Sequence, residues 1–287
     1  MVGFVLPARA RHTYRRRHRI IAFHRSRIFM TPVRSIFPLI ALLILLAACS
    51  GTTEVETTSA AQRFALGMEE YADENYLEAL QHFEVIRLQY PASAVADSAR
   101  YFTGMCRYQR EEYLLATYEF NQLIQGGNSR ALGADAYHMF SQCYYEMSPK
   151  VQLDQTSTQR AIDALQTFVE LYPEHPAAAG TEKQVLELVN KLAEKEYDTG
   201  VLYEKMENRT AALLYFSTVV DRYYNTYFVD DGLAGRVRML MELKRYDEAE
   251  ADIEEFVSKY ADSPWFDDVV SMRDDLQEIR SEAAVRP

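Results

Sequence analysis

From Gln62 onward apolar side chains recur three and four positions apart, and no stretch alternates with the period of two that a half-buried strand requires. The pattern predicts one helix after another, almost to the end of the chain. It also returns on itself. Tyr76, Ala79, Phe83 and Tyr90 set a frame of aromatic, small, large apolar and tyrosine residues. The frame recurs at Tyr246, Ala249, Ile253 and Tyr260 and, with arginine in first place, at Arg209, Ala212, Phe216 and Tyr223. Looser copies stand at Tyr113, Ala116 and Phe120, where Gly127 takes the tyrosine position, and at Thr158, Ala161, Leu165 and Tyr172. Ahead of the frame lies a second marker, Gly67, Gly104 and Gly200 in copies one, two and four, with Ser141 and Val237 in copies three and five.

Each unit reads as a helix hairpin whose first helix carries the glycine and whose second carries the alanine and the large apolar residue. Glycine inside a helix costs about 1 kcal/mol relative to alanine, so three at one register imply that a neighbouring helix comes close there. Alanine and the large residue, four apart, share one face of the second helix. Tyr90-Pro91 and Tyr172-Pro173 close it, because proline disfavours helix before itself and has no amide to donate. The frames start 37, 45, 51 and 37 residues apart. The first excess falls at 148–157, a long turn inside the third hairpin. The second predicts a single helix from Ala178 to Met206. The expected layout is repeats one to three over 62–176, a long connecting helix over 177–206, repeats four and five over 197–265 sharing part of that helix, and a capping helix with tail over 266–287.

The order Gly, Tyr, Ala, Phe, Pro resembles the tetratricopeptide repeat, although Ile86 stands in the first copy where that family has a small residue. The resemblance implies an all-α fold, a right-handed superhelical solenoid of about five helix hairpins.

The amino-terminal stretch is of another kind. Leu42-Leu43-Ile44-Leu45-Leu46-Ala47-Ala48 ends at Cys49 and resembles the processing site of a bacterial lipoprotein. Small residues fit a cleavage site, and a thiol is the most nucleophilic side chain for alkylation. The run from Ile36 to Ala48 is too short to span a bilayer, which takes about 20 apolar residues. Residues 1–48 are thus expected to be a lipoprotein signal, with Cys49 carrying palmitate-type acyl chains and 49–61 forming the anchor and a disordered polar tether. Residues 1–29 hold eight arginines and no acid, long for such a signal, and Met30 is the expected start of translation.

Charge narrows the function. After residue 48 the chain has 22 basic and 42 acidic residues, a net charge of −20 that argues against nucleic acid or an anionic membrane surface as partner. Cofactors are not expected. His82, His138 and His175 read as isolated, with no second ligand at metal spacing. Acid pairs such as Asp230-Asp231 point about 100° apart on a helix and read as solvated surface, not as acid and base. Cys106 and Cys143 occupy equivalent places on consecutive first helices, whose axes pack about 8–10 Å apart, and are expected as two buried thiols in preference to a disulfide. The chain reads as no enzyme.

What remains is a surface. Phe64, Met68 and Tyr71 fall on one face of the first helix; Tyr101, Met105 and Tyr108, then His138, Gln142 and Tyr145, repeat it in the next two units. Such a stripe is either core against the second helices or an exposed groove suited to an extended peptide bearing aromatic side chains. Lipidated cysteine, five repeats, Tyr-Pro closures, the Leu153-Asp154-Gln155-Thr156 turn and the long central helix together resemble the BamD family, lipoproteins of the machinery that inserts β-barrel proteins into the outer membrane. That resemblance implies that the amino-terminal groove receives the aromatic-ended segment of an unfolded outer-membrane protein. It implies too that repeats four and five dock on the barrel insertase BamA beside other assembly lipoproteins, with Arg209, Arg222, Arg236 and Arg238 as candidate contacts. The implied location is the periplasmic face of the outer membrane, which Ser50 after Cys49 favours. Two rivals share the fold: an adaptor for peptidoglycan synthesis or cell constriction, and a glycan-binding lipoprotein, for which Trp265 alone is thin support.

Overall fold

The computed structural model describes residues 58–126 and 130–285; the signal, Cys49 and Met30 lie outside them. Among the described residues eleven α-helices follow one another, with no strand. They pair as five hairpins: α1 (Ala60–Ala72) with α2 (Tyr76–Gln89), α3 (Ala96–Gln109) with α4 (Tyr113–Gly126), α5 (Arg130–Glu146) with α6 (Thr156–Leu171), α7 (Ala178–Lys205) with α8 (Arg209–Arg222), and α9 (Val229–Glu242) with α10 (Tyr246–Lys259). The last helix, α11 (Phe266–Val285), covers the end. Helices pack chiefly on those before and after them in sequence, and α3 also meets α5, as α7 meets α9, across a repeat step. Five local cores result, each shared by one hairpin and the first helix of the next, as repeat arrays require.

The glycine register is a matter of ring space. A Cβ on Gly67 would lie 2.6 Å from the Phe83 ring, one on Gly104 2.7 Å from Phe120, and one on Gly200 2.7 Å from Phe216, and all three rings are fully buried. Where the large residue is smaller, the partner grows: Val237 stands in the glycine place opposite Ile253, in one core cluster. Close approach has moved with it, to Gly235 against Phe216 and Gly232 against Val219.

The tight turns within hairpins follow a rule invisible in composition. Glu74, Glu111, Glu207 and Lys244, each two residues before its second helix, have φ near +60°. The amides that follow close a six-residue loop onto the first helix, Asn75 N–H to Glu70 O at 2.9 Å, for example, and Glu112 N–H to Arg107 O at 2.8 Å. Tyrosine, not proline, is what four of the five closures share. Tyr90, Tyr172, Tyr223 and Tyr260 all cap their helices, although Tyr224 and Ala261 replace proline after the last two.

One boundary differs from the sequence reading, and one turn has more structure than its length told. The tether was expected to run to residue 61, but α1 begins at Ala60, because Ser59 and Gln62 form a reciprocal capping box that satisfies two first-turn amides. The 148–157 insertion is a hydrogen-bonded clasp. Gln155 Nε2 donates to the carbonyls of Lys150, Val151 and Leu153 at 2.9, 3.2 and 3.0 Å. Lys191 and Lys195 of α7 donate to Ser148 Oγ and Gln152 O, both at 3.0 Å, and tie the turn to the long helix.

Candidate functional site

The stripe of α1, α3 and α5 is neither buried nor free. Phe64, Met68, Tyr71, Tyr101, Met105, Tyr108, His138 and Tyr145 are all half-buried. Each unit's residues rest on the core of their own hairpin: Phe64 lies 5.6 Å from Phe83, Tyr101 5.7 Å from Phe120, and His138 5.1 Å from Phe168, ring centre to ring centre. The sequence reading missed Phe102, whose ring meets those of Phe64, Tyr71, Phe83 and Tyr101 within 6.0 Å and joins units one and two. Its position, one after Tyr101, lies off the stripe's period, so no spacing marks it.

Hydrogen bonds hold the stripe in register. Tyr108 OH donates to Glu146 Oε1 at 3.2 Å and Tyr145 OH to Glu187 Oε2 at 2.8 Å; Gln142 and Gln184 exchange two amide bonds at 2.8 and 2.9 Å. Each bond crosses from one first helix to the next. Burial, then the facing carboxylates, push the Tyr108 hydroxyl well above its ordinary range, and burial with Glu187 pushes Tyr145 up to about 12. These phenols are donors at any physiological pH. Glu146, Glu187 and Gln184 belong to the site and were absent from the sequence reading, since charged residues on a helix face are ordinarily solvated.

The histidines need a correction. His138 and His175 are not isolated: their rings stand 5.7 Å apart, and His175 Nε2 lies 3.1 Å from Asp135 Oδ1 while Nδ1 accepts the Ala177 amide at 3.2 Å. Both nitrogens of His175 are thereby used. No group of three metal-ligating side chains occurs among the described residues, nor any helix long and apolar enough to cross a membrane. Cys106 and Cys143 are free and buried, and burial raises both thiols to about 12.

The candidate arginines sit differently from one another. Arg236 is forked onto Asp252 by two bonds of 2.7 Å and reaches Asp221 at 2.8 Å, joining α8, α9 and α10. Burial raises the Asp252 carboxyl despite the guanidinium; it opposes Arg236 too, but the two carboxylates outweigh it and keep the guanidinium firmly charged. Arg238 pairs with Glu204 at 3.0 and 3.2 Å and lies 5.2 Å over the Trp265 ring. Arg209 pairs with Glu242. Arg222 is exposed, with its guanidinium 5.5 Å from the Tyr223 ring. Beside Arg236 a groove of about 820 Å³ opens between α8 and α10, floored by Leu213 and Leu240 and rimmed by Leu214, Arg245 and Glu248.

The pattern that defines the YfiO outer membrane lipoprotein family matches residues 56–250. The chain belongs to that family. It is 23% identical over 234 residues to the outer membrane protein assembly factor BamD of Caulobacter vibrioides, covering 80% of this chain and 77% of that one. The outer membrane protein assembly factor BamD of Rickettsia prowazekii is 27% identical over 192 residues, 67% of this chain and 76% of its own. Among solved structures, a TPR repeats protein of Bacteroides fragilis is similar at TM-score 0.41 and 17% identity, over 78% of this chain and 100% of its own. The TPR2AB domain of yeast Sti1, from its complex with pHSP90, is similar at TM-score 0.40 and 17% identity, over 78% and 85%. This family member is thus associated with the outer membrane, and its described residues are built as successive helix hairpins.

Proposed function

We propose that this family member is a non-enzymatic assembly factor for outer-membrane proteins. Its amino-terminal hairpins receive an extended, aromatic-bearing segment of an unfolded barrel protein along the stripe from Phe64 to Tyr145. Repeats four and five hold the barrel insertase BamA, with Arg222 and the groove beside Arg236 as the contact, and acyl chains on Cys49 keep both guests at the periplasmic face of the membrane. The observation that carries this reading is the row of half-exposed rings on α1, α3 and α5, backed by core and locked side by side. Rings held in one rotamer add contact area without freezing new torsions on binding.

The experiment is recovery of the intact protein from detergent-solubilised membranes, with mass spectrometry of what accompanies it. Barrel insertase at near-equal amount supports the reading; wall synthases or division proteins in its place overturn it and favour the adaptor. Tyr108→Ala tests the groove itself. Capture of a barrel-protein peptide should fall about tenfold, near 1.4 kcal/mol, while helicity stays. Loss of helicity would mean that the stripe serves the core alone.

A further inference from the structure

Four turns lead from a second helix to the next first helix, and their third position holds Ser93, His175, Thr226 and Ser263. A hydroxyl serves such a turn. Ser263 Oγ accepts the Trp265 amide at 3.3 Å, and Thr226 Oγ1 donates to Tyr223 O at 2.7 Å. His175 does the work of Ser263 with a ring, its Nδ1 accepting the Ala177 amide at 3.2 Å. His138 is a second exception in the third repeat, since its register holds Phe64, Tyr101 and Tyr197 in repeats one, two and four. Neither place requires a histidine for its packing, yet the two departures meet, with ring centres 5.7 Å apart.

The hydrogen bonds fix the protonation state of His175. Nδ1 takes an amide proton, so Nε2 carries the ring's own proton and donates it to Asp135 Oδ1 at 3.1 Å. A further proton has only Nδ1 to go to, and there it evicts the Ala177 amide. The surroundings answer one positive charge better than two. The charged or titratable groups that bear on His138 are His175 and Asp135. From α6 comes the Phe168 ring, 5.1 Å from each histidine. From α3 comes Tyr101, whose phenol is pushed up to about 12 by burial and then by Asp135, and which stays neutral. Glu174 of the turn and Glu182 and Lys183 of α7 are exposed. Two charged rings at this distance would share the one exposed carboxylate of Asp135.

What the pair holds is a junction. Ala177 caps the start of α7 with no side-chain bond of its own, and α7 packs on the cores of both halves of the array. We propose that His138 and His175 form an acid-sensitive latch on the start of α7, in which neutral rings hold the turn closed and protonation of both rings opens it. The opening is local. Further along, the Gln142–Gln184 and Tyr145–Glu187 bonds still tie α5 to α7. On the proposed function the latch would make guest capture sensitive to acid, because His138 belongs to the stripe; the latch itself is tested without a guest.

The test is hydrogen exchange of the full-length protein, read by mass spectrometry at pH 7 and pH 5. The segment 175–181 is compared with 263–269, the serine turn at the same register in the same molecule, so that the intrinsic pH dependence of exchange cancels. Protection of 175–181 relative to 263–269 should fall about fivefold or more at pH 5. His175→Ser, which installs the hydroxyl of the register, and His138→Phe, which leaves a single ring, should each abolish the fall. Asp135→Asn should deepen it, because the carboxylate that favours the charged rings is gone. No fall in the parent, a fall that persists in either histidine variant, or a fall that Asp135→Asn lessens each overturns the proposal.

Discussion

Gly67 and Gly180 are both helical glycines, yet their surroundings make them opposites. A Cβ at Gly67 meets the buried Phe83 ring at 2.6 Å, whereas at Gly180 it meets nothing within 4 Å. Gly67→Ala should therefore destabilise by about 1–3 kcal/mol, overpacking outweighing the gain in helix propensity, while Gly180→Ala should stabilise by about 0.5–1 kcal/mol. Urea unfolding of the two variants side by side checks the sign. His138 carries a second residue-scale prediction. Burial, and behind it His175, lower its pKa below the ordinary 6.5, with Asp135 opposing. Its neutral form is favoured by folding, so as pH falls below about 6.5 the unfolded chain takes up the proton first and stability declines until the folded ring is protonated too. Phe64 and Tyr101 hold the same register in repeats one and two. His138→Phe should remove this part of the acid-side decline, and the melting-temperature difference between variant and parent should widen from pH 7 to about pH 5.

At the scale of elements, the chain announced much of itself. The spacing of Thr158 and Arg209 predicted a helix from Ala178 to Met206, and α7 runs Ala178–Lys205. Three glycines predicted close helix contacts and found them against phenylalanines. The half-turns were silent, because Glu74, Glu111, Glu207 and Lys244 give no compositional hint of a left-handed backbone; the hydrogen bonds around them impose it. The 148–157 insertion was legible in length only. That Gln155 gathers three carbonyls depends on a backbone path that no spacing encodes. Gln155→Ala should cost about 1–3 kcal/mol and speed amide exchange at the clasp, with α1 to α4 unaffected. Of the aromatic stripe, the period located the rings; their Tyr–Glu partners lay on neighbouring helices, beyond the reach of a one-helix pattern.

The whole molecule is an array of local cores, and its stability is the sum of neighbouring interfaces. Arg236 is where that sum is most exposed to a single change, since it joins three helices of repeats four and five. Arg236→Ala leaves Asp252 buried without its counter-ion and should cost about 3–5 kcal/mol, whereas Arg236→Met with Asp252→Asn should recover much of that loss. Because repeat arrays couple weakly over distance, denaturant unfolding of Arg236→Ala should become biphasic, α8 to α11 melting before α1 to α6. A single transition would show instead that α7 carries cooperativity from end to end.

The continuity of α7 has one more consequence. A helix of 28 residues at about 1.5 Å each is a strut about 42 Å long, and its two ends pack on different hairpins. On the proposed function, a guest held by one half would stand from a guest held by the other at a separation fixed by the strut, with no slack to average over. Two weakly held molecules, or two segments of one, would find each other at millimolar effective concentration without any contact between them being strong.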